Sequence, residues 1–160
     1  LVMNRSNNLF AVVPDANVLI GICAREADKY ATAKAALDHY VKNGYELFAP
    51  NIIVTEVVFV LCQKLADGFL TKIEYDEAAD AFADYLKVIT LAPNGEESLL
   101  KRAVEIRDGY GCSRSSDAFY IALAEELAET HNIELLTFDK GFVNQAARNA
   151  PTVKINLLPV

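Results

Sequence analysis

Residues 115–142 read SSDAFYIALAEELAETHNIELLTFDKGF, and the order of patterns in this stretch decides the fold. Ser115 and Ser116 are of the type that caps a helix N-terminus, because a hydroxyl oxygen can accept a hydrogen bond from an otherwise unpaired backbone N–H. Behind them Tyr120, Leu123, Ala124 and Leu127 recur at helical spacing, while Glu125, Glu126 and Glu129 fall on the outward side. A helix is therefore expected to about residue 130. The apolar run at 133–137 then reads as a strand, and Asp139 closes it. Helical patterns alternating with short apolar runs point to an α/β fold with a mainly parallel central sheet.

The same alternation extends over the rest of the chain. A strand is expected at 11–14 and a helix from near Asn17. The helix predicted at 31–42 ends at Asn43-Gly44, a good C-cap pair. A strand at 45–49 is stopped by Pro50, and Asn51 is a plausible cap for the next helix. That helix carries Val54, Val57, Val58, Leu61, Cys62 and Leu65 at helical spacing and is broken by Asp67-Gly68. A helix at 74–86 puts Tyr75, Ala78, Ala79, Phe82 and Leu86 along one side. A strand at 88–92, a helix at 96–107, a Gly109-Tyr110-Gly111 loop, a helix at 142–148 and a strand at 153–155 complete the reading. No repeat, low-complexity tract or linker interrupts it. One domain is expected over 1–160, with residues 1–9 as a flexible lead.

Composition sets bounds on function. Hydrophobic residues make up 52% of the chain, which argues against disorder, and 23% charged residues are ordinary for a soluble protein. The densest apolar stretch, 52–61, is short and contains Thr55 and Glu56, so it suits a buried helix and not a bilayer. No apolar leader precedes a cleavage site, so a cytoplasmic protein with no membrane partner is expected. Cys23, Cys62 and Cys112 are distant from one another and, with only His39 and His131, make no zinc spacing; they read as reduced thiols packed as small hydrophobes. The net charge of −7 is awkward for binding nucleic acid, since affinity for phosphate comes largely from Lys and Arg.

Four acids bear on that charge. Asp15 follows Phe10-Ala11-Val12-Val13-Pro14, Glu56 sits near the start of a helix, Asp117 falls in a helix first turn, and Asp139 follows a strand. Each has a bland reading. Asp15 serves as a turn or cap residue, Glu56 as part of a solvated face, Asp117 as a charge favoured at a helix N-terminus, and Asp139 as turn chemistry. As a set they read differently. In open α/β sheets ligands gather outside the carboxyl ends of the strands, and four carboxylates aimed there would repel one another unless a cation joined them. Oxygen-only donors with no nearby His or Cys select Mg²⁺ or Mn²⁺ over zinc. Such a cluster suits phosphodiester hydrolysis. No Ser-His-Asp or Cys-His set, P-loop or Gly-x-Gly-x-x-Gly competes.

Val13-Pro14-Asp15-Ala16-Asn17, Thr55-Glu56, Ser116-Asp117-Ala118 with Ile121-Ala122-Leu123-Ala124, and Thr137-Phe138-Asp139-Lys140-Gly141-Phe142 resemble, in order, the motifs of PIN-domain ribonucleases. The resemblance implies a three-layer α/β/α sandwich. It also implies a Mg²⁺- or Mn²⁺-dependent endoribonuclease in which Asp15, Glu56 and Asp117 hold the main metal and Asp139 assists. Asn17 would orient a ligand or phosphate, and Thr137 would support the loop bearing Asp139. Ala16 departs from the Thr or Ser usual in the family and removes a hydroxyl from the site's edge. Many small PIN proteins are toxins of toxin–antitoxin modules that cleave RNA, form homodimers and are silenced by a cognate antitoxin, so RNA, a second copy and an antitoxin are the implied partners.

Arg114 and Lys140 lie beside candidate ligands and are candidate phosphate contacts, although surface solvation explains each as well. Tyr110 and Phe142 are candidates for stacking on bases, with Phe142 better suited to the core. The helices around Phe59 and Phe82 offer an apolar dimer face. Two alternatives stand beside the ribonuclease. A haloacid-dehalogenase-type phosphohydrolase also places an Asp after its first strand, but it wants a second Asp where Asn17 stands. A catalytically silent PIN-fold module would bind RNA or protein without turnover.

Overall fold

A computed structural model describes residues 9–107 and 115–160. Residues 1–8 of the expected lead, the Gly109-Tyr110-Gly111 loop, Cys112 and Arg114 lie outside the described residues, while Leu9 belongs to the first strand and not to the lead. Within them the elements run β1 (Leu9–Pro14), α1 (Ala16–Cys23), α2 (Tyr30–Lys42), β2 (Glu46–Ala49), α3 (Ile52–Ala66), α4 (Lys72–Leu86), β3 (Ile89–Leu91), α5 (Glu96–Arg107), α6 (Ser115–Leu127), β4 (His131–Thr137), α7 (Lys140–Asn149) and β5 (Ile155–Leu157). The sheet order is β3-β2-β1-β4-β5 and every pairing is parallel.

Parallel neighbours need crossovers, and crossovers are right-handed. From β1 to β3 the chain moves one way across the sheet, and from β3 to β5 it moves back. Helices α1 to α4 therefore cover one face and α5 to α7 the other. Contacts agree: α1 packs on α2, α3 and α4, whereas α6 packs on α5 and α7. The result is the expected three-layer α/β/α sandwich. The direction of travel reverses between β1 and β4, which makes their carboxyl ends the topological switch point where such sheets bind ligands.

Burial follows from this layering. Strand β1 is central, and Ala11, Val12 and Val13 are fully buried. Pro14 ends it where pairing with β2 has already stopped, and the Asp15 N–H resumes the ladder by donating to the Leu136 carbonyl at 2.8 Å. Helix α1 is enclosed almost all round: Asn17 is its one exposed residue. Burying Val18, Leu19, Ile20 and Ile22 contributes roughly 1.5–3 kcal/mol each. Gly21 permits a close approach, since a Cβ there would lie 3.0 Å from the Lys29 Cβ.

Several sequence expectations change. The buried seam of α3 is Ile53, Val57 and Leu61, while Val58, Phe59 and Cys62 face outward. Cys62 is therefore no core thiol, although Cys23 is buried as expected. Asn51 occupies the N-cap position of α3 without a side-chain cap bond; its backbone N–H instead donates to Glu96 Oε2 at 2.9 Å. Phe82 is buried, which removes it from any dimer face and leaves Phe59 exposed. Strand β1 begins at Leu9, and β5 sits two residues later than the alternation of 153–155 suggests. Among the described residues no helix is long and apolar enough to cross a membrane.

Candidate active site

Asp15 stands at the carboxyl end of β1 and is the N-cap residue of α1 by backbone geometry, its carbonyl accepting from Val18 N–H at 3.0 Å. Its side chain does not cap the helix. Instead Oδ2 accepts from the Thr137 hydroxyl at 3.0 Å, a bond between the ends of adjacent strands β1 and β4. Asp15 is 3% exposed and Thr137 fully buried. Burial is the largest influence on Asp15, and the charges of Asp117 and Glu56 add to it. Together they outweigh the Thr137 and Ala16 hydrogen bonds and raise its pKa from 3.8 to about 7. A carboxylate so placed is costly unless a positive charge joins it.

Glu56 lies in the second turn of α3 and is half-buried. Its Oε1 accepts from the Tyr120 hydroxyl at 2.9 Å, and Ser116 donates to the same carboxylate. Burial raises its pKa in spite of those two bonds. Asp117 occupies the first turn of α6, where the helix dipole favours an acid. Helix α6 thus carries three of the participants, Ser116, Asp117 and Tyr120, across from α3 and the end of β1. The Tyr120 side chain is wholly buried, and burial together with Glu56 and Asp15 pushes its hydroxyl well above its ordinary value, so it stays a donor.

Asp139 is joined to this group through Thr137, whose Oγ1 accepts from the Asp139 backbone N–H at 3.0 Å. The Asp139 carboxylate itself caps α7, with Oδ1 accepting from Gly141 N–H at 2.6 Å. The charges of Asp117 and Glu56 thus each act on Asp15, and Asp139 is tied to Asp15 through Thr137 by its backbone. Asn17 is exposed two residues beyond Asp15, and Lys140 is exposed at the start of α7. Arg114 lies outside the described residues. Phe142 is buried edge-on against Tyr120, with ring centroids 5.9 Å apart, so it is a core residue and no stacking platform. Sequence reasoning placed Tyr120 in the core and gave it no role at the site. The available signal was its position three residues after Asp117, which puts both on one side of the helix.

Among the described residues no three His, Cys, Asp or Glu side chains are gathered closely enough to hold a metal ion as they stand. The donor chemistry nevertheless fits a hard divalent cation: oxygen-only ligands, and a buried acid destabilised by two neighbouring acids.

The PIN domain family model matches residues 12–148. The chain belongs to the PIN domain family, whose members are generally nucleases that use divalent metal ions. Among solved structures, the chain is similar to VapBC2 from Rickettsia felis bound to a DNA fragment from their promoter. Identity there is 13% over 94% of this chain and 100% of that one, with a TM-score of 0.63. It is also similar to PAE2754 from Pyrobaculum aerophilum, at 17% identity over 85% of this chain and 84% of that one, with a TM-score of 0.50. A comparison with curated proteins gives no match. The haloacid-dehalogenase alternative is set aside by the family match.

Proposed function

We propose that this chain is a Mg²⁺- or Mn²⁺-dependent endoribonuclease. The observation that carries the reading is the buried Asp15 carboxylate at the β1/β4 switch point with the charges of Asp117 and Glu56 acting on it. Asp15, Glu56 and Asp117 would hold the ion, with Asp139 assisting from the neighbouring loop. A hard divalent ion in such a set supplies Lewis-acid activation of water and neutralises charge on the scissile phosphate. The protein's own part is to hold the acids: Thr137 fixes Asp15, while Tyr120 and Ser116 fix Glu56. Asn17 and Lys140, both exposed, would meet the substrate phosphate.

The test is incubation of purified protein with single-stranded RNA in Mg²⁺, Mn²⁺ or EDTA. Internal cleavage in either metal and none in EDTA is expected. Binding of Mn²⁺ without cleavage of any RNA would favour the silent binding module. A toxin role belongs to the same reading, with a homodimer and a cognate antitoxin as partners. The similar Rickettsia felis assembly, bound to promoter DNA, supports looking for such a partner. Co-expression with the adjacent reading frame tests it: a co-purifying small protein that suppresses cleavage is expected.

A further inference from the structure

We propose that the cavity at the carboxyl end of α1 binds the phosphate backbone and one base of single-stranded RNA, extending the path of the strand that enters the Asp15 site. The inference rests on the ribonuclease reading above. The cavity, of about 390 Å³, is lined by Arg25, Glu26, Lys29, Lys64 and Phe69 among others. Three cations meet there against Glu26 and Asp28, a locally positive spot on a chain of net charge −7. Positive charge so placed is where a polyanion gains most.

Each side chain is held for the task. Lys29 Nζ lies 3.1 Å from Glu26 Oε2 and Lys64 Nζ 2.6 Å from Glu26 Oε1, so one carboxylate positions both ammonium groups. An ammonium group has three donors, and each Lys retains others for phosphate oxygens. Arg25 is exposed and forms no ion pair among the described residues. It sits where helices usually have glycine. Arg25 N–H donates to the Ile22 carbonyl at 3.2 Å and Glu26 N–H to the Gly21 carbonyl at 3.0 Å, which closes α1 with Arg25 at φ 50°. Glycine would take that conformation without strain, so a long cationic side chain is kept there at a cost to the fold.

Aromatic rings complete the surface. Phe69 is 76% exposed and has Lys64 Nζ 5.8 Å from its ring centroid. Lys29 Nζ stands 5.9 Å from the Phe138 ring, and Phe138 lies between Thr137 and Asp139 of the proposed active site. Helix α1 spans eight residues, about 12 Å, and has Asp15 at its other end. Phe138 is half-buried against the core, so Phe69 is the exposed ring here; a cation beside an exposed aromatic face is a means by which proteins hold single strands without reading sequence. An acidic peptide would use the cations and leave the rings idle.

The test uses a labelled single-stranded RNA oligonucleotide in EDTA, so that binding is read apart from cleavage. Arg25→Gly relieves the backbone and should melt at or above the wild-type temperature, yet bind RNA about three- to tenfold more weakly. Its dependence of log affinity on log salt should fall by about 0.7. Phe69→Ala should weaken binding with the salt slope unchanged. Wild-type affinity in both variants, or no RNA binding by the wild type, overturns the inference. So does competition by oligoglutamate as strong as competition by RNA. Metal-dependent cleavage by the wild type is scored separately, so failure of the ribonuclease reading is distinguishable from failure of this one.

Discussion

Asp15 and Tyr120 show how single side chains set the site. Asp15 is buried with Asp117 and Glu56 acting on it, so the metal-free protein carries repulsion that a neutral isostere would remove. Asp15→Asn keeps an oxygen for the Thr137 hydroxyl to donate to. It should raise the metal-free melting temperature by roughly 3–9 °C, for about 1–3 kcal/mol, and abolish RNA cleavage. Differential scanning fluorimetry in EDTA checks the first and a gel assay in Mn²⁺ the second; a lowered melting temperature would show the acid to be purely structural. Tyr120→Phe keeps the ring against Phe142 but takes one donor from Glu56. A cost of about 1–3 kcal/mol in urea unfolding is expected, together with weaker Mn²⁺ binding by calorimetry. These residues also mark the limit of sequence reading. The acids stand out because each falls beside an apolar run, whereas Tyr120 looks like any inward helix residue. Its partner Glu56 is 64 positions away in the chain, and nothing in the local pattern announces that.

Elements were legible where chemistry is local. The limits of α5 agree with the reading of 96–107, and α2 stops at Asn43-Gly44 with Gly44 at φ 78°. Where a tertiary partner decides, the sequence was silent. Helix α3 is apolar on nearly every side, so periodicity alone could not choose Ile53, Val57 and Leu61 over Val58 and Cys62. Strand β5 takes its limits from pairing with β4, Leu135 opposite Ile155, and not from its own alternation. One further element start is set by a wholly local signal. Thr71 and Glu74 form a reciprocal capping box at the start of α4, with Thr71 N–H donating to Glu74 Oε2 at 2.7 Å and Glu74 N–H to Thr71 Oγ1 at 3.2 Å. Thr71→Ala should cost about 1 kcal/mol and lower the melting temperature by roughly 2–4 °C, with cleavage unchanged, because α4 supplies none of the acids.

At the scale of the whole molecule, acid stability depends on carboxylates that tie layers together. Burial alone would raise Glu26, but Lys64 and Lys29 hold it below its ordinary value and so fasten the loop after α1 to α3. Glu134 of β4 is half-buried, and Lys154 and the Tyr40 hydroxyl hold it low in spite of that burial, joining the sheet to α2. A depressed folded pKa contributes stability that is fully present above the ordinary carboxylate range and lost as pH falls through the folded value. Glu26→Gln with Glu134→Gln should therefore unfold at lower urea than wild type at pH 7, and the gap should shrink toward pH 3. A gap that persists at pH 3 would show that packing, and not charge, is what these residues supply.

The bond from Thr137 to Asp15 joins positions 122 residues apart, and β4 lies beside β1 although most of the chain separates them. During synthesis β2, the other neighbour of β1, follows it closely, but β1 leaves the ribosome well before β4. Until then Asp15 has no Thr137 to orient it and α6 has not delivered Asp117 or Tyr120. A nascent chain that lacks β4 therefore cannot orient Asp15, and whatever reaction this cleft performs begins only after the ribosome has passed the codons for β4.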